Sequence, residues 1–152
     1  CSRYVCIDGN GRASVLADLN DPLPRLVAVR GKPEPEELGQ FDLVTDFGTG
    51  EHIFNQLQVW RTIHDLCKWK GFIALIRPTQ GYPDHGFYNV QPTWVTDIAA
   101  ANGYETVRLC EVATKRGTNV FAILRKIVDK SFIIPQQGRY QKTLRPLRSY
   151  RC

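Results

Sequence analysis

Phe72–Ile76 is a run of five apolar residues in succession, with Gly71 before it and Pro78 soon after. A half-buried strand alternates in polarity, so a continuous apolar run marks a strand buried on both faces. Pro78 is expected to end that strand, because proline donates nothing to a ladder. Upstream, Ile53, Leu57, Trp60 and Ile63 recur at helical spacing and predict an amphipathic helix over 52–67. Downstream, Pro92 suits a first helical position and Asn102-Gly103 a helix end, which predicts a second helix. Helices alternating with buried strands predict an α/β domain whose Rossmann-like, mostly parallel sheet is covered on both faces. Short strands are expected over 3–8, 13–19, 25–30 and 41–46. Tyr104–Val112 and Asn119–Val128, joined by the turn at 115–118, read as a C-terminal antiparallel hairpin.

The segment Phe41–His52, FDLVTDFGTGEH, closes a strand with polar and glycine residues. In open α/β sheets, ligands bind just outside the carboxyl ends of the strands. Asp46, Glu51 and His52 therefore stand where chemistry is expected, with Gly48 and Gly50 freeing the backbone to turn. The plainer alternative is a loop that only caps the following helix.

At 152 residues the chain is the size of one ordinary domain, read here as 1–130 with an irregular extension over 131–152. No apolar run reaches the ~18 residues of a membrane span. The net charge of +5 is concentrated in that extension, in Arg139, Lys142, Arg145, Arg148 and Arg151, with no acid among residues 136–152. Basic residues three apart, with Tyr140 and Tyr150 interleaved, suit an extended arm along a nucleic-acid backbone, an oligomer contact, or a solvated terminus. The five cysteines include no C-x-x-C pair, so neither a zinc knuckle nor a disulfide framework is expected. Cys6, Cys67 and Cys110 read as small buried hydrophobes, and a reducing, cytoplasmic compartment fits. Neither a P-loop nor a G-x-S-x-G elbow occurs.

The order of elements, with those residues at the strand ends, resembles class I S-adenosylmethionine-dependent methyltransferases from about Tyr4 to about Lys126. The wording FGTGEHIFNQ, followed by a helix, HDLCK and a Gly-started strand, carries the most specific part of the likeness. The resemblance implies a seven-stranded sheet of which this chain holds strands two to seven. It implies that Asp8, ending the second strand, binds the cofactor's ribose hydroxyls. Asp18 and Leu19 would approach the adenine, and Asp46, Phe47 and Gly48 the methionine end. The family's first strand and glycine-rich loop have no counterpart; Gly9-Asn10-Gly11 follows the second strand's acid rather than preceding it. The chain begins with Cys1 and holds no methionine. The expectation is therefore that a preceding segment, or a complementing chain or second copy, completes the pocket.

Methyl transfer from a sulfonium needs alignment of the nucleophile and, for a hydroxyl, a base. His85 and His52 are the base candidates, because histidine titrates near neutral pH. Glu51, Phe87 and Tyr88 are assigned to the acceptor side, the two rings able to stack on a planar or sugar substrate. His64 falls on the apolar stripe and reads as a core histidine. Two histidines and a carboxylate can bind iron, but their spacing matches no known ligand pattern, and no metal is expected. The expected function is methyl transfer to an oxygen or nitrogen of a small molecule. The alternative is a non-catalytic module that contacts nucleic acid or a protein partner through its basic tail.

Overall fold

The computed structural model describes residues 3–136; the five basic tail residues, Arg139 to Arg151, lie outside that range. The described residues form an α/β fold with two α-helices and a mixed four-stranded sheet. Strands β1 (Ile7–Asp8) and β2 (Val15–Leu16) pair in parallel and form a small sheet of their own. Strands β3 (Phe41–Phe47), β4 (Cys67–Gly81), β5 (Tyr104–Ala113) and β6 (Gly117–Lys126) form the main sheet in the order β3-β4-β6-β5. Helix α1 (Gln56–Leu66) crosses from β3 to β4, and α2 (Pro92–Asn102) from β4 to β5. No helix among the described residues is long and apolar enough to cross a membrane.

The main sheet is less parallel than expected. Only β3 and β4 run parallel; β6 is antiparallel to both β4 and β5. The expected strands at 3–8 and 13–19 shrink to two residues each, and 25–30 forms no strand, only the Val27–Glu36 bridge. The expectation that helices cover both faces is also corrected. Residues from both helices (Val59, Trp60, Ile63, Val95, Ile98) join one core with Ile73, Leu75, Val120, Ala122 and Leu124. These sheet residues are two apart and so share a face. Between them, Leu43, Phe47 and Phe72 stay exposed.

Pro78 does not end β4, which continues to Gly81. The β3 ladder stops at Phe47↔Ile76, and beyond it the edge of β4 away from β6 meets no strand among the described residues, only the Val90 amide, which donates to the Pro78 carbonyl at 2.8 Å. Proline on that side removes no ladder hydrogen bond, and a register shift lies between Pro78 and Gln80.

The helix ends follow local rules. Asn55 caps α1 by accepting from the Gln58 amide, 3.2 Å away. Gly103 closes α2 at φ 63°, the left-handed conformation that glycine adopts without a Cβ penalty. The buried Lys126 ammonium donates to the carbonyls of His64 and Cys67, both at 3.0 Å, where the C-terminus of α1 presents unpaired acceptors. Cys110 is disulfide-bonded, which corrects its reading as a plain buried thiol; Cys6 and Cys67 are free. The cysteines thus give no support to a reducing compartment.

His64 is a core histidine, as its place on the apolar stripe predicts. Its Nε2 donates to the Lys130 carbonyl at 2.7 Å, which leaves Nδ1 to accept from the Tyr104 hydroxyl at 2.6 Å. Burial lowers its pKa, outweighing the Lys130 carbonyl, and burial raises that of Tyr104. A depressed folded-state pKa means that the unfolded chain takes up the proton first. Stability from this group is therefore complete above the unfolded value of about 6.5 and declines as pH falls below it. Thermal unfolding followed from pH 8 to pH 5 should show a loss of Tm that is smaller in His64→Gln.

Candidate functional site

The site is built around a buried guanidinium. Arg77 follows the apolar run of β4 and has no exposed surface, and Asp46 of β3 is 6% exposed beside it. Arg77 Nε donates to Asp46 Oδ2 at 2.8 Å, and Nη2 donates to the same oxygen. Asp46 Oδ1 accepts from the Gly50 amide at 3.0 Å, which bends the chain into the single 3₁₀ turn Gly50–His52. A side chain at residue 50 would overlap the Arg77 guanidinium, so glycine is required there by space alone. Gly48 has φ 83° and needs glycine for its backbone conformation. Gln56 Nε2 donates to the Gly50 carbonyl at 2.6 Å, and the face of Trp94 lies 5.8 Å from the Arg77 guanidinium carbon.

The turn carries Glu51 inward and His52 outward. Glu51 is 2% exposed and His52 is exposed. The loop Tyr82–Gln91 folds over this turn. The Phe87 amide donates to the Glu51 carbonyl at 2.9 Å, and a Cβ at Gly86 would stand 3.0 Å from that same oxygen. His85 thereby comes to Glu51, its Nε2 3.6 Å from Oε1, and its ring meets that of His52 edge-on at 4.9 Å. Phe54, Phe87 and Tyr88 form an aromatic cluster next in the chain, with Phe54 and Phe87 T-shaped at 5.7 Å and both exposed.

A cleft of about 720 Å³ opens between the small sheet and the outer edge of β3. Val5, Ile7 and Leu19 line one wall, the backbone of β3 through Asp46 the other, and Val59 and Ile63 of α1 also border it. Thr49 and Gly50 stand at the end where the 3₁₀ turn begins.

The residues expected at the site do not all come together; Gly48 lies in the link between β3 and the 3₁₀ turn. Leu19 and Asp46 line the cleft. Glu51, His52, His85, Phe87 and Tyr88 assemble around the turn and loop. Asp8 and Asp18 are outside both: each carboxylate bonds its own loop, Asp8 the Asn10 amide at 3.2 Å and Asp18 the Asn20 amide at 2.9 Å. Phe47 is exposed at the end of β3. Asp46 is not a free ligand, because its oxygens are spent on Arg77 and Gly50. Arg77 escaped notice in the sequence, although a cation directly after five apolar residues is a signal of a paired buried charge. Trp94 and Gln56 carried no such signal. Models of known protein families and curated proteins give no match to the chain.

Breaking one half of a buried ion pair leaves the other charge uncompensated. Asp46→Asn and Gly50→Ala should each destabilise the fold by about 3 kcal/mol, read as a lower urea midpoint. An unchanged midpoint in both would mean that this pair does not hold the site.

Proposed function

We propose that this chain forms the core of a class I S-adenosylmethionine-dependent methyltransferase that acts on an oxygen or nitrogen of a small molecule. The observation that carries the reading is the cleft. It runs along β3 from Gln40 and Phe41 to Asp46, Thr49 and Gly50 and has Leu19, from the loop after β2, in its lining. Ligands of open α/β sheets bind at the carboxyl ends of strands, where the strand order reverses. At about 720 Å³ the cleft falls within the usual range of ligand sites, and it offers both apolar and polar walls.

The order of strands supports the same reading. In this reading β1, β2, β3 and β4 are the second to fifth strands of the family's sheet, and β5 and β6 its closing hairpin. The common doubly wound order is 3-2-1-4-5, in which the first strand lies between the second and fourth. That is the space between β1 and β3, where the cleft runs and where the outer edge of β3 has no partner among the described residues.

On the acceptor side, the loop Tyr82–Gln91 presents His85, Phe87 and Tyr88 beside the turn that carries Glu51 and His52. For a hydroxyl acceptor, His85 is the better-placed base, because its Nε2 stands 3.6 Å from Oε1 of the buried Glu51, which can orient the ring. For an amine with a free lone pair, alignment suffices. The aromatic cluster offers a stacking surface to a planar or sugar acceptor.

Calorimetric titration of S-adenosylhomocysteine tests the reading. Binding in the ~1–100 μM range, weakened about tenfold or more by Leu19→Arg, which drives a charge into the cleft, is the expected result. Absence of heat from the folded protein, or affinity unchanged in Leu19→Arg, would overturn the cleft as the cofactor site.

A further inference from the structure

Two buried carboxylates share one buried cation at this site. Arg77 is engaged by Asp46, and its Nε is 4.0 Å from Glu51 Oε2, too far for a hydrogen bond. Glu51 Oε2 has no hydrogen-bond partner at all, although the residue is 2% exposed. A buried carboxylate is expensive unless it is paired and hydrogen-bonded. Oε2 is the oxygen that faces Arg77, and the other oxygen, Oε1, faces His85 Nε2 at 3.6 Å.

Two imidazoles stand beside this carboxylate, those of His85 and His52. One ligand atom from each of Glu51, His52 and His85 lies within 4.8 Å of the others. We propose that Glu51, His52 and His85 form a binding site for one divalent transition-metal ion of the zinc type, open on its outer side. Two histidines and one carboxylate are the donor set of open zinc and iron sites. Ligand atoms at ~2.1 Å from one tetrahedral ion stand about 3.4 Å apart. The set therefore closes by little more than 1 Å, which rotation of the two exposed imidazoles supplies, while the carboxylate is held by burial.

The backbone around the set is fixed. Glu51 and His52 are adjacent in a turn held by Asp46, and His85 is held over them by the Phe87–Glu51 backbone bond. Gly86 lies too close to Glu51 to carry a side chain without displacing it, so the approach of the loop is specific. Both imidazoles are exposed, so the remaining coordination positions face solvent and can take a water or a substrate oxygen. A bound metal would engage Glu51 together with both imidazoles, so His85 would serve as the base of the proposed reaction only in the metal-free protein. The site itself does not depend on the methyltransferase reading.

Cobalt(II) is the probe, because its visible absorption reports the number and type of its ligands. Chelator-treated protein is titrated with Co²⁺ and then with Zn²⁺ in competition. The expected result is one equivalent of Co²⁺ with a spectrum of low coordination number, displaced by one equivalent of Zn²⁺. His52→Ala, His85→Ala and Glu51→Gln should each weaken binding by on the order of 100-fold, since loss of an outer-shell partner alone costs 10- to 100-fold. The two histidine variants alter exposed side chains and keep the test valid if Glu51→Gln fails to fold. An octahedral, aquo-like spectrum in the wild type, or binding that survives in the His52→Ala/His85→Ala double variant, would overturn the site. Failure of S-adenosylhomocysteine to bind would leave the metal result standing, and the reverse also holds.

Discussion

The buried Arg77 guanidinium is the constraint on which the rest of the site depends. A cation with no exposed surface must be paired, and Asp46 from the neighbouring strand meets it in a fixed geometry. The same carboxylate binds the Gly50 amide, so one residue ties strand, arginine and turn together. Space follows from charge. The guanidinium fills the volume that a side chain at residue 50 would need, and glycine there lets the chain pass over it. The direction of the turn then decides that Glu51 points inward and His52 outward. The loop after β4 can settle only on the surface that this turn presents.

Legibility in the sequence tracks how local each cause is. Helix α2 was readable to the residue, because Pro92 and Gly103 act on their own turns. The hairpin of β5 and β6 and the strand at Phe41 were readable for the same reason. His52 was placed in the first helix but stands in a separate 3₁₀ turn, since the Gly50 hydrogen bond to Asp46 is a contact between elements and leaves no periodic trace. The length of β4 past Pro78 depends on β3 having stopped beside it, which no window of the sequence contains. Asp8 and Asp18 each bond the amide two residues on, a local turn contact that the sequence carries within a three-residue window.

The one-sided sheet and the open cleft belong together. Both helices pack on one face through Ile73, Leu75 and their neighbours, while Leu43, Phe47 and Phe72 remain exposed. The outer edge of β3 carries backbone groups able to pair with a further strand, and apolar side chains stand beside it. The 3₁₀ turn and loop 82–91 follow the carboxyl ends of the parallel strands β3 and β4, where Glu51 is buried beside Arg77.

The most direct test of the central claim is hydrogen–deuterium exchange with and without S-adenosylhomocysteine. The account predicts protection at two separate stretches, Ile7–Asn20 and Asp46–Glu51, because the cleft joins the loop after β2 to the end of β3. Protection absent from both, or confined to the loop at 82–91, would contradict it.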